Sequence, residues 1–130
     1  MINIFSKNKI IFYLINFFLI FLYIYPGSFL GLIVYNNPNI QPQITPDFVI
    51  SSNHFYVFTL ISIIGLLTFI KIKQIKYLKI YLFFISFLEI FHLIIPERSF
   101  QWSDLFVNLF GVLIVIIINE LINKYEIFKK

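Results

Sequence analysis

The stretch from Glu89 to Gly111 has the sequence EIFHLIIPERSFQWSDLFVNLFG and decides the fold. It places polar side chains inside and beside otherwise continuous apolar sequence. Glu89 and His92 are three positions apart, so a helix carries both on one face. Pro96 is predicted to end that helix, because it lacks the N–H for a helical hydrogen bond and its ring clashes with the preceding turn. The stretch therefore predicts two helices joined by a tight turn.

The second of these helices is predicted to begin near Ser103. Asp104, Asn108 and Gly111 recur at positions i, i+4 and i+7, which again is one helical face. Arg98 lies in the turn between the two helices. Two polar faces therefore meet across one turn, at the same end of two apolar helices.

The composition indicates a membrane protein. Of 130 residues, 60% are hydrophobic and 12% are charged, and the mean hydropathy is +0.91. A soluble domain of this size could not cover so much apolar surface, so we predict one polytopic membrane domain over residues 1–130. The chain has no cysteine, which excludes disulfides and thiolate metal sites. The net charge of +4 reflects membrane topology, and we predict no nucleic-acid partner.

We predict an all-α integral membrane bundle of four transmembrane helices, at about residues 10–25, 54–70, 79–95 and 103–123. Residues 36–53 carry three prolines and are predicted to form an exposed loop. Two arrangements stay open after Pro26. Either the first helix kinks there and continues, or residues 28–35 lie in the membrane interface.

The distribution of basic residues predicts the topology. Nine of the ten basic residues fall on one side of the four predicted spans, and Arg98 alone falls on the other. The nine are Lys7, Lys9, Lys71, Lys73, Lys76, Lys79, Lys124, Lys129 and Lys130. Because cytoplasmic loops carry an excess of Lys and Arg, we predict that both termini are cytoplasmic.

This topology brings six polar side chains together near the outer leaflet. The candidate catalytic residues are Glu89, His54 and Asp104, and the candidate binding residues are His92, Arg98 and Asn108. No comparable group of polar residues occurs at the inner side. We therefore expect the functional site at the outer end of the bundle.

Glu89 has two interpretations. An ionisable group inside a span costs roughly 3 kcal/mol or more and usually marks a site or a buried pair. Glu89 is either a general acid, a general base or a cation ligand, or it is a carboxylic acid kept neutral by burial. In the second case it would be hydrogen-bonded to Asn108 or His92.

His54 and His92 are candidate acids, bases or metal ligands. The alternative is a pair of interfacial histidines that bond to backbone or water. Glu89-x-x-His92 also occurs as a metal-binding element in carboxylate-bridged bundles. The chain has a single copy of this element, so we predict no metal site and no cofactor.

Asp104 follows Ser103, the predicted N-cap of the last helix, where a carboxylate favours the positive helix end. Arg98 has three alternative interpretations. It pairs with Asp104, it binds a lipid phosphate or pyrophosphate, or it stays solvated at the rim of the site. Asn108 is predicted to form an interhelical hydrogen bond, and Gly111 to allow close packing.

These residues resemble the signature of the VanZ-like family of membrane proteins, in which Glu-x-x-Gln precedes a Pro-x-Arg-x-x-x-x-x-Asp-x-x-x-Asn-x-x-Gly run. The matching residues are Glu89, Pro96, Arg98, Asp104, Asn108 and Gly111. The segment Asp47–Tyr56 (DFVISSNHFY) resembles the family's second motif, Asp-Lys-x-x-His-Phe-x-x-Tyr, with a longer spacing. Two positions depart from the family pattern. His92 replaces the usual Gln, and Phe48 replaces the Lys that normally follows the motif Asp.

The resemblance implies a multi-pass protein of the bacterial cell membrane, which is the inner membrane in a Gram-negative source. It also implies a link to glycopeptide antibiotic tolerance, but it supplies no reaction. We predict that the polar cluster binds the anionic head of a membrane lipid or of a lipid-linked cell-wall component. Two alternatives stay open. One is an enzyme that hydrolyses or transfers such a head group, and the other is a non-catalytic interaction protein. The sequence leaves the oligomeric state open.

Overall fold

The computed structural model describes residues 9–46 and 51–128. Within these ranges the chain is all-helical, which confirms the predicted fold class. The helices are α1 (Lys9–Ile24), α2 (Phe29–Tyr35), α3 (Ser52–Thr68), α4 (Ile72–Ile85), a 3₁₀ helix (Ser86–Leu93) and α5 (Trp102–Phe128). Some residues used above lie outside the described part of the chain. They are Lys7, Asp47, Phe48, Lys129 and Lys130.

The long helices alternate in direction and share one core. α1 and α4 run one way along the bundle, and α3 and α5 run the other way. The core includes Phe12, Leu19, Phe58, Ile61, Leu82 and Val112. We call the half of the bundle that holds Glu89 and Asp104 the carboxylate half, and the half that holds Lys9 and Lys79 the lysine half.

The most extensive helix contact joins α3 and α5. A Cβ atom added to Gly111 would lie 3.1 Å from the carbonyl oxygen of Phe55 and 3.2 Å from the backbone nitrogen of Thr59. Backbone atoms cannot rotate away, so a glycine at this position allows α3 to approach α5 closely. This close packing sets His54 of α3 beside Asp104 of α5.

The chain bends sharply between α1 and α2. Gly27 has a φ of 68°, a conformation that suits glycine. The Ser28 hydroxyl accepts a hydrogen bond from the Gly31 N–H at 2.9 Å and caps α2. The two helices meet at 87°. Such an angle ends the first helix at the break, which favours the second of the two arrangements predicted after Pro26.

The third long helix, α4, begins before the predicted third span. It begins at Ile72, so the predicted basic connection is already helical over Lys73, Lys76 and Lys79. Lysine is a good helix former, and neither glycine nor proline interrupts this segment. The predicted start of the membrane span at residue 79 followed charge, and it stays a prediction.

The same helix also changes character before Pro96. At Ser86 the α-helix tightens into the 3₁₀ helix, and the Ser86 hydroxyl donates to the Phe83 carbonyl oxygen at 2.6 Å. Such a side-chain bond competes with the main-chain hydrogen bonds of an α-helix for the same carbonyl oxygen. Residues i and i+3 eclipse in a 3₁₀ helix, so Glu89 and His92 share a face even though the predicted α-helix is absent here.

One helix in the described chain is long and apolar enough to cross a membrane, namely α5 between Trp102 and Tyr125. Its 24 residues extend about 36 Å, against a hydrocarbon core of about 30 Å. α1 and α2 pass the same test only when counted together, and α3 is apolar but has 17 residues. The four-span arrangement and the cytoplasmic placement of both termini stay predictions.

Candidate functional site

Polar side chains from several helices meet in the carboxylate half. His54 comes from α3, Glu89 and His92 from the 3₁₀ helix, and Asp104 and Asn108 from α5. All but His54 are buried, and the His54 side chain is 19% exposed. The structure thus brings five of the six candidate site residues into one cluster of polar contacts.

Asn108 lies at the centre of this group and is fully buried. Its Nδ2 donates to the Ser86 carbonyl oxygen at 3.3 Å, which fixes the orientation of the amide. Its Oδ1 accepts from the Tyr23 hydroxyl at 3.2 Å and lies 3.1 Å from His54 Nδ1. Asn108 therefore joins α5 to three other elements, which is the interhelical bonding predicted for it.

The bonds around His54 indicate which ring nitrogen carries a proton. His54 Nδ1 lies 2.8 Å from the Tyr23 hydroxyl and 3.1 Å from Asn108 Oδ1. An amide oxygen only accepts, so the Tyr23 proton satisfies Asn108, and Nδ1–H then donates to the Tyr23 oxygen. This assignment of Nδ1 follows from the hydrogen-bond network, because it is the one that leaves no lone pair facing another among Tyr23, His54 Nδ1 and Asn108.

Glu89 is fully buried, and its two carboxylate oxygens differ. Oε1 lies 2.9 Å from His92 Nδ1 and accepts from the Gln101 N–H at 3.3 Å. Oε2 is buried without a hydrogen-bond partner among the described residues. Of the two partners predicted for a buried Glu89, His92 is therefore the one observed, while Asn108 bonds elsewhere.

His92 is held at both ring nitrogens. Its Nε2 lies 3.1 Å from the Tyr23 carbonyl oxygen, an acceptor, so Nε2–H donates. The ring also stacks on Tyr23, with centroids 5.3 Å apart. One further proton then lies between His92 Nδ1 and Glu89 Oε1. The pair has no net charge whichever of the two atoms carries that proton.

Asp104 faces His54 and not Arg98. Asp104 Oδ2 lies 3.5 Å from His54 Nε2, so the predicted pairing of Asp104 with Arg98 is not observed between these two residues. α5 begins at Trp102, which places Ser103 in the first turn and not at the predicted N-cap. The carboxylate still lies at the positive end of the helix, where its charge is favourable.

Arg98 lies at the rim of the cluster and bonds to the end of α1. Its Nη2 donates to the Leu22 carbonyl oxygen at 2.9 Å, and its Nε to that of Tyr25 at 3.3 Å. The last carbonyls of a helix lack intrahelical donors, so Arg98 caps α1. Burial lowers the pKa of the Arg98 guanidinium, and the charge of Glu89 partly opposes that shift. The group stays protonated, because the pKa of a guanidinium is so high to begin with.

Two adjoining clefts open beside the cluster. The first is mostly apolar, has a volume of about 240 Å³ and lies between α1, α2 and α3. Its apolar walls include Leu19, Leu22, Phe29 and Val57. The second is mostly polar, has a volume of about 400 Å³ and extends over the turn before α5. The clefts share lining residues that include His54, His92 and Arg98.

The sequence analysis missed Tyr23 and Ser86. Tyr23 lies in an apolar helix, yet its hydroxyl and its carbonyl oxygen contact three residues of the cluster. Ser86 contributes only a carbonyl oxygen, which no side-chain pattern can reveal. Tyr23 is one of three tyrosines between Lys9 and Pro26, and their spacing gives no periodic signal that separates it from Tyr13 and Tyr25. Its distance along the helix from Lys9 is the one cue that places it near the outer end.

No profile of a known protein family, no curated protein and no solved structure matches this chain. The resemblance to VanZ-like proteins therefore stays a prediction. The chemistry of the site rests on the geometry described above.

Proposed function

We propose that this chain is a four-span membrane protein that binds an amphipathic lipid with an anionic head group. The observation that carries the proposal is the pair of adjoining clefts, one apolar and one polar, which meet at His54, His92 and Arg98. A hydrocarbon chain fits the apolar cleft, and a charged head fits the polar one. Ligand sites of this kind combine apolar walls with a few well-placed polar groups.

The outer surface of the bundle supports a membrane location. Large apolar side chains face outward on three helices, with Phe17 72%, Phe84 67% and Phe106 61% exposed. Extensive apolar surface of this kind is unfavourable in water and favourable against lipid tails. Four spans follow if α1, α3, α4 with the 3₁₀ helix, and α5 each cross the bilayer. The resemblance to VanZ-like proteins points to the same layout in a bacterial envelope.

Arg98 is the residue that suits an anionic head group. A guanidinium has five N–H donors, and two atoms of Arg98 are used on the end of α1. Its remaining donors belong to a side chain that lines both clefts. Guanidinium matches phosphate geometry, which makes a polyprenyl phosphate or pyrophosphate a suitable ligand. On the predicted topology, the head group would lie at the outer leaflet.

The test is a titration of the purified full-length chain in detergent with polyprenyl phosphate, and with polyprenol as the neutral control. We expect polyprenyl phosphate to bind saturably. Polyprenol should bind more weakly by a factor of about ten or more, because a charge-assisted hydrogen bond contributes about 1.5–3 kcal/mol. Arg98→Gln should weaken phosphate binding by about the same factor. Lys79→Gln, which removes one positive charge from the lysine half, should leave it unchanged. Equal binding of the two lipids would overturn the proposal.

A second candidate function is hydrolysis or transfer of the same head group. The observation that favours it is the unpartnered Oε2 of Glu89, in a carboxylate that comes within 4.8 Å of His54 and Asp104. Such an oxygen could accept a proton from an attacking water. Wild-type protein would then release phosphate from polyprenyl pyrophosphate, whereas Glu89→Gln would bind the lipid without turnover. Intact lipid after long incubation with folded wild-type protein would exclude this alternative.

A further inference from the structure

We infer that His54, Glu89 and Asp104 bind a divalent cation of the Zn²⁺ class in the carboxylate half. One ligand atom from each residue lies within 4.8 Å of those from the other two. The three residues come from α3, the 3₁₀ helix and α5, so tertiary structure assembles the set. The cation site needs no lipid and goes beyond the proposed function.

The spacing of His54 and Asp104 suits two ligands that share one ion. His54 Nε2 and Asp104 Oδ2 are 3.5 Å apart. Two ligands about 2.1 Å from a tetrahedral Zn²⁺ lie about 3.4 Å from each other. An ordinary N–H···O hydrogen bond between them would be shorter, at about 2.9 Å.

The protonation of His54 leaves the required lone pair available. In the neutral His54 ring, Nδ1–H donates to the Tyr23 oxygen and Nε2 carries the lone pair, which faces the Asp104 carboxylate. Two lone-pair atoms in contact repel each other unless a proton or a cation lies between them. Metal-bound histidines generally donate their second N–H to a fixed partner, and the pair Tyr23 and Asn108 supplies one here.

Glu89 provides an independent indication of a missing ligand. Its Oε2 is fully buried and has no hydrogen-bond partner among the described residues. A buried oxygen without a hydrogen-bond partner is unfavourable, so native structures rarely retain one without use. Its Oε1 is meanwhile fixed by His92 and by the Gln101 N–H. The carboxylate is thus held by one oxygen with the other available to a cation.

The charges and donor types favour a Zn²⁺-like ion. Binding of the cation would release the proton that Glu89 shares with His92, and the carboxylates of Glu89 and Asp104 would then balance a divalent cation in a buried setting. One imidazole and two carboxylates form a mixed nitrogen and oxygen set, which suits Zn²⁺ better than Mg²⁺ or Ca²⁺. Three protein ligands leave a fourth position, and His54 and Asp104 both line the polar cleft. Water or a phosphate oxygen would take that position.

His92 has a supporting role in this site and is not one of the three ligands. It bonds to Glu89 Oε1 from outside the set and orients the carboxylate. The Glu89-x-x-His92 element was considered from the sequence as a metal-binding element. In this site Glu89 is the ligand, and His92 is the residue that orients it. The sequence analysis named His54 as a candidate metal ligand but predicted no metal site, because the chain has one copy of this element and Asp104 was not counted as a ligand.

The test uses full-length protein in detergent, stripped with a chelator and without added lipid. Zn²⁺ is titrated by calorimetry, and Co²⁺ is used as a visible probe of coordination. We expect one equivalent of Zn²⁺ and a Co²⁺ absorption spectrum of a four-coordinate site with nitrogen and oxygen ligands. Zn²⁺ binding without lipid binding would support this inference and contradict the proposed function. Lipid binding without Zn²⁺ binding would support the proposed function and contradict this inference.

Variants locate the ion. His54→Gln and Asp104→Asn should each weaken Zn²⁺ binding at least tenfold, since removal of even a supporting partner costs about 10–100-fold. Glu97→Gln removes a carboxylate from the wall of the same cleft and should leave binding unchanged. Helical circular dichroism and gel filtration establish that each variant is folded, and if one is not, the other decides. The inference would be overturned if the wild type takes up no stoichiometric Zn²⁺, or if the folded variants bind Zn²⁺ as tightly as the wild type does.

Discussion

Buried polar side chains bond mainly within their own helix in the lysine half and mainly across helices in the carboxylate half. In and towards the lysine half, the hydroxyls of Ser62 and Thr68 donate to carbonyl oxygens four residues earlier, each at 2.7 Å. Asn16 Nδ2 does the same within α1, and these three bonds need little more than the helix that already exists. The bond that crosses helices here is the one from the Tyr81 hydroxyl to Asn16 Oδ1.

In the carboxylate half, the bonded residues are far apart in the sequence. Tyr23 contacts His54 across 31 positions and Asn108 across 85. The amide of Asn108 bonds to the 3₁₀ helix, and one oxygen of Glu89 stays without a partner. A network that crosses four elements and still leaves a buried oxygen unsatisfied is unfavourable for stability alone. Proteins keep such features where function requires them.

The largest difference between the halves should appear on removal of Asn108. Asn108→Leu keeps the branching of the side chain but leaves the Ser86 carbonyl oxygen and the Tyr23 hydroxyl without their partner, so we expect a loss of about 3 kcal/mol in unfolding free energy. Ser62→Ala, the matched change outside the network, should cost less than about 1 kcal/mol because its hydroxyl adds to a carbonyl already bonded in the helix. Chemical unfolding in detergent measures both. Equal losses would remove the distinction between the halves.

A smaller effect is expected at the two carboxylates of the site. Glu89→Gln and Asp104→Asn should leave the melting temperature of chelated protein unchanged or raised, because groups kept for function tend to be retained at a cost to stability. The control is Glu120→Gln, which removes a carboxylate from the lysine half. Thermal unfolding in detergent decides the matter. A clear drop in both variants would instead favour a non-catalytic interaction protein, whose polar cluster serves to hold the helices together.

The smallest effect should come from the ion pair of Lys79 and Glu120 in the lysine half. The two side chains are 27% and 57% exposed, so water and salt screen their attraction. Lys79→Gln should change the unfolding free energy by less than about 1 kcal/mol. The same unfolding assay measures it, at low and at high salt. A loss of several kcal/mol would show that the lysine half also depends on charge.

The sequence predicted which polar residues gather, because two simple periodicities place them. Glu89 and His92 are three apart, Asp104 and Asn108 are four apart, and His54 begins a helix at the same end. Helix propensity and apolar content were also enough to predict an all-helical chain. These features depend on local sequence, which is why they could be predicted.

Features that depend on three-dimensional contact could not be predicted in this way. Arg98 bonds to carbonyl oxygens of α1, more than seventy positions earlier, and not to Asp104 as considered. The change to a 3₁₀ helix at Ser86 follows from packing and a hydroxyl bond that the sequence does not specify. The bend after Pro26 had two outcomes, and only the measured angle of 87° distinguishes them.

The distance along the chain between Tyr23 and Asn108 has a consequence for biosynthesis. These two residues lie on the first and last of the described long helices, and the chain is made from its N-terminus. Until α5 leaves the ribosome and packs against the other helices, Tyr23, His54 and Ser86 have no amide to bond to. A nascent chain that stops in the turn before α5 would hold three of the described long helices and no site. The site therefore cannot form before α5 is in place, and its presence reports that the described helices have assembled.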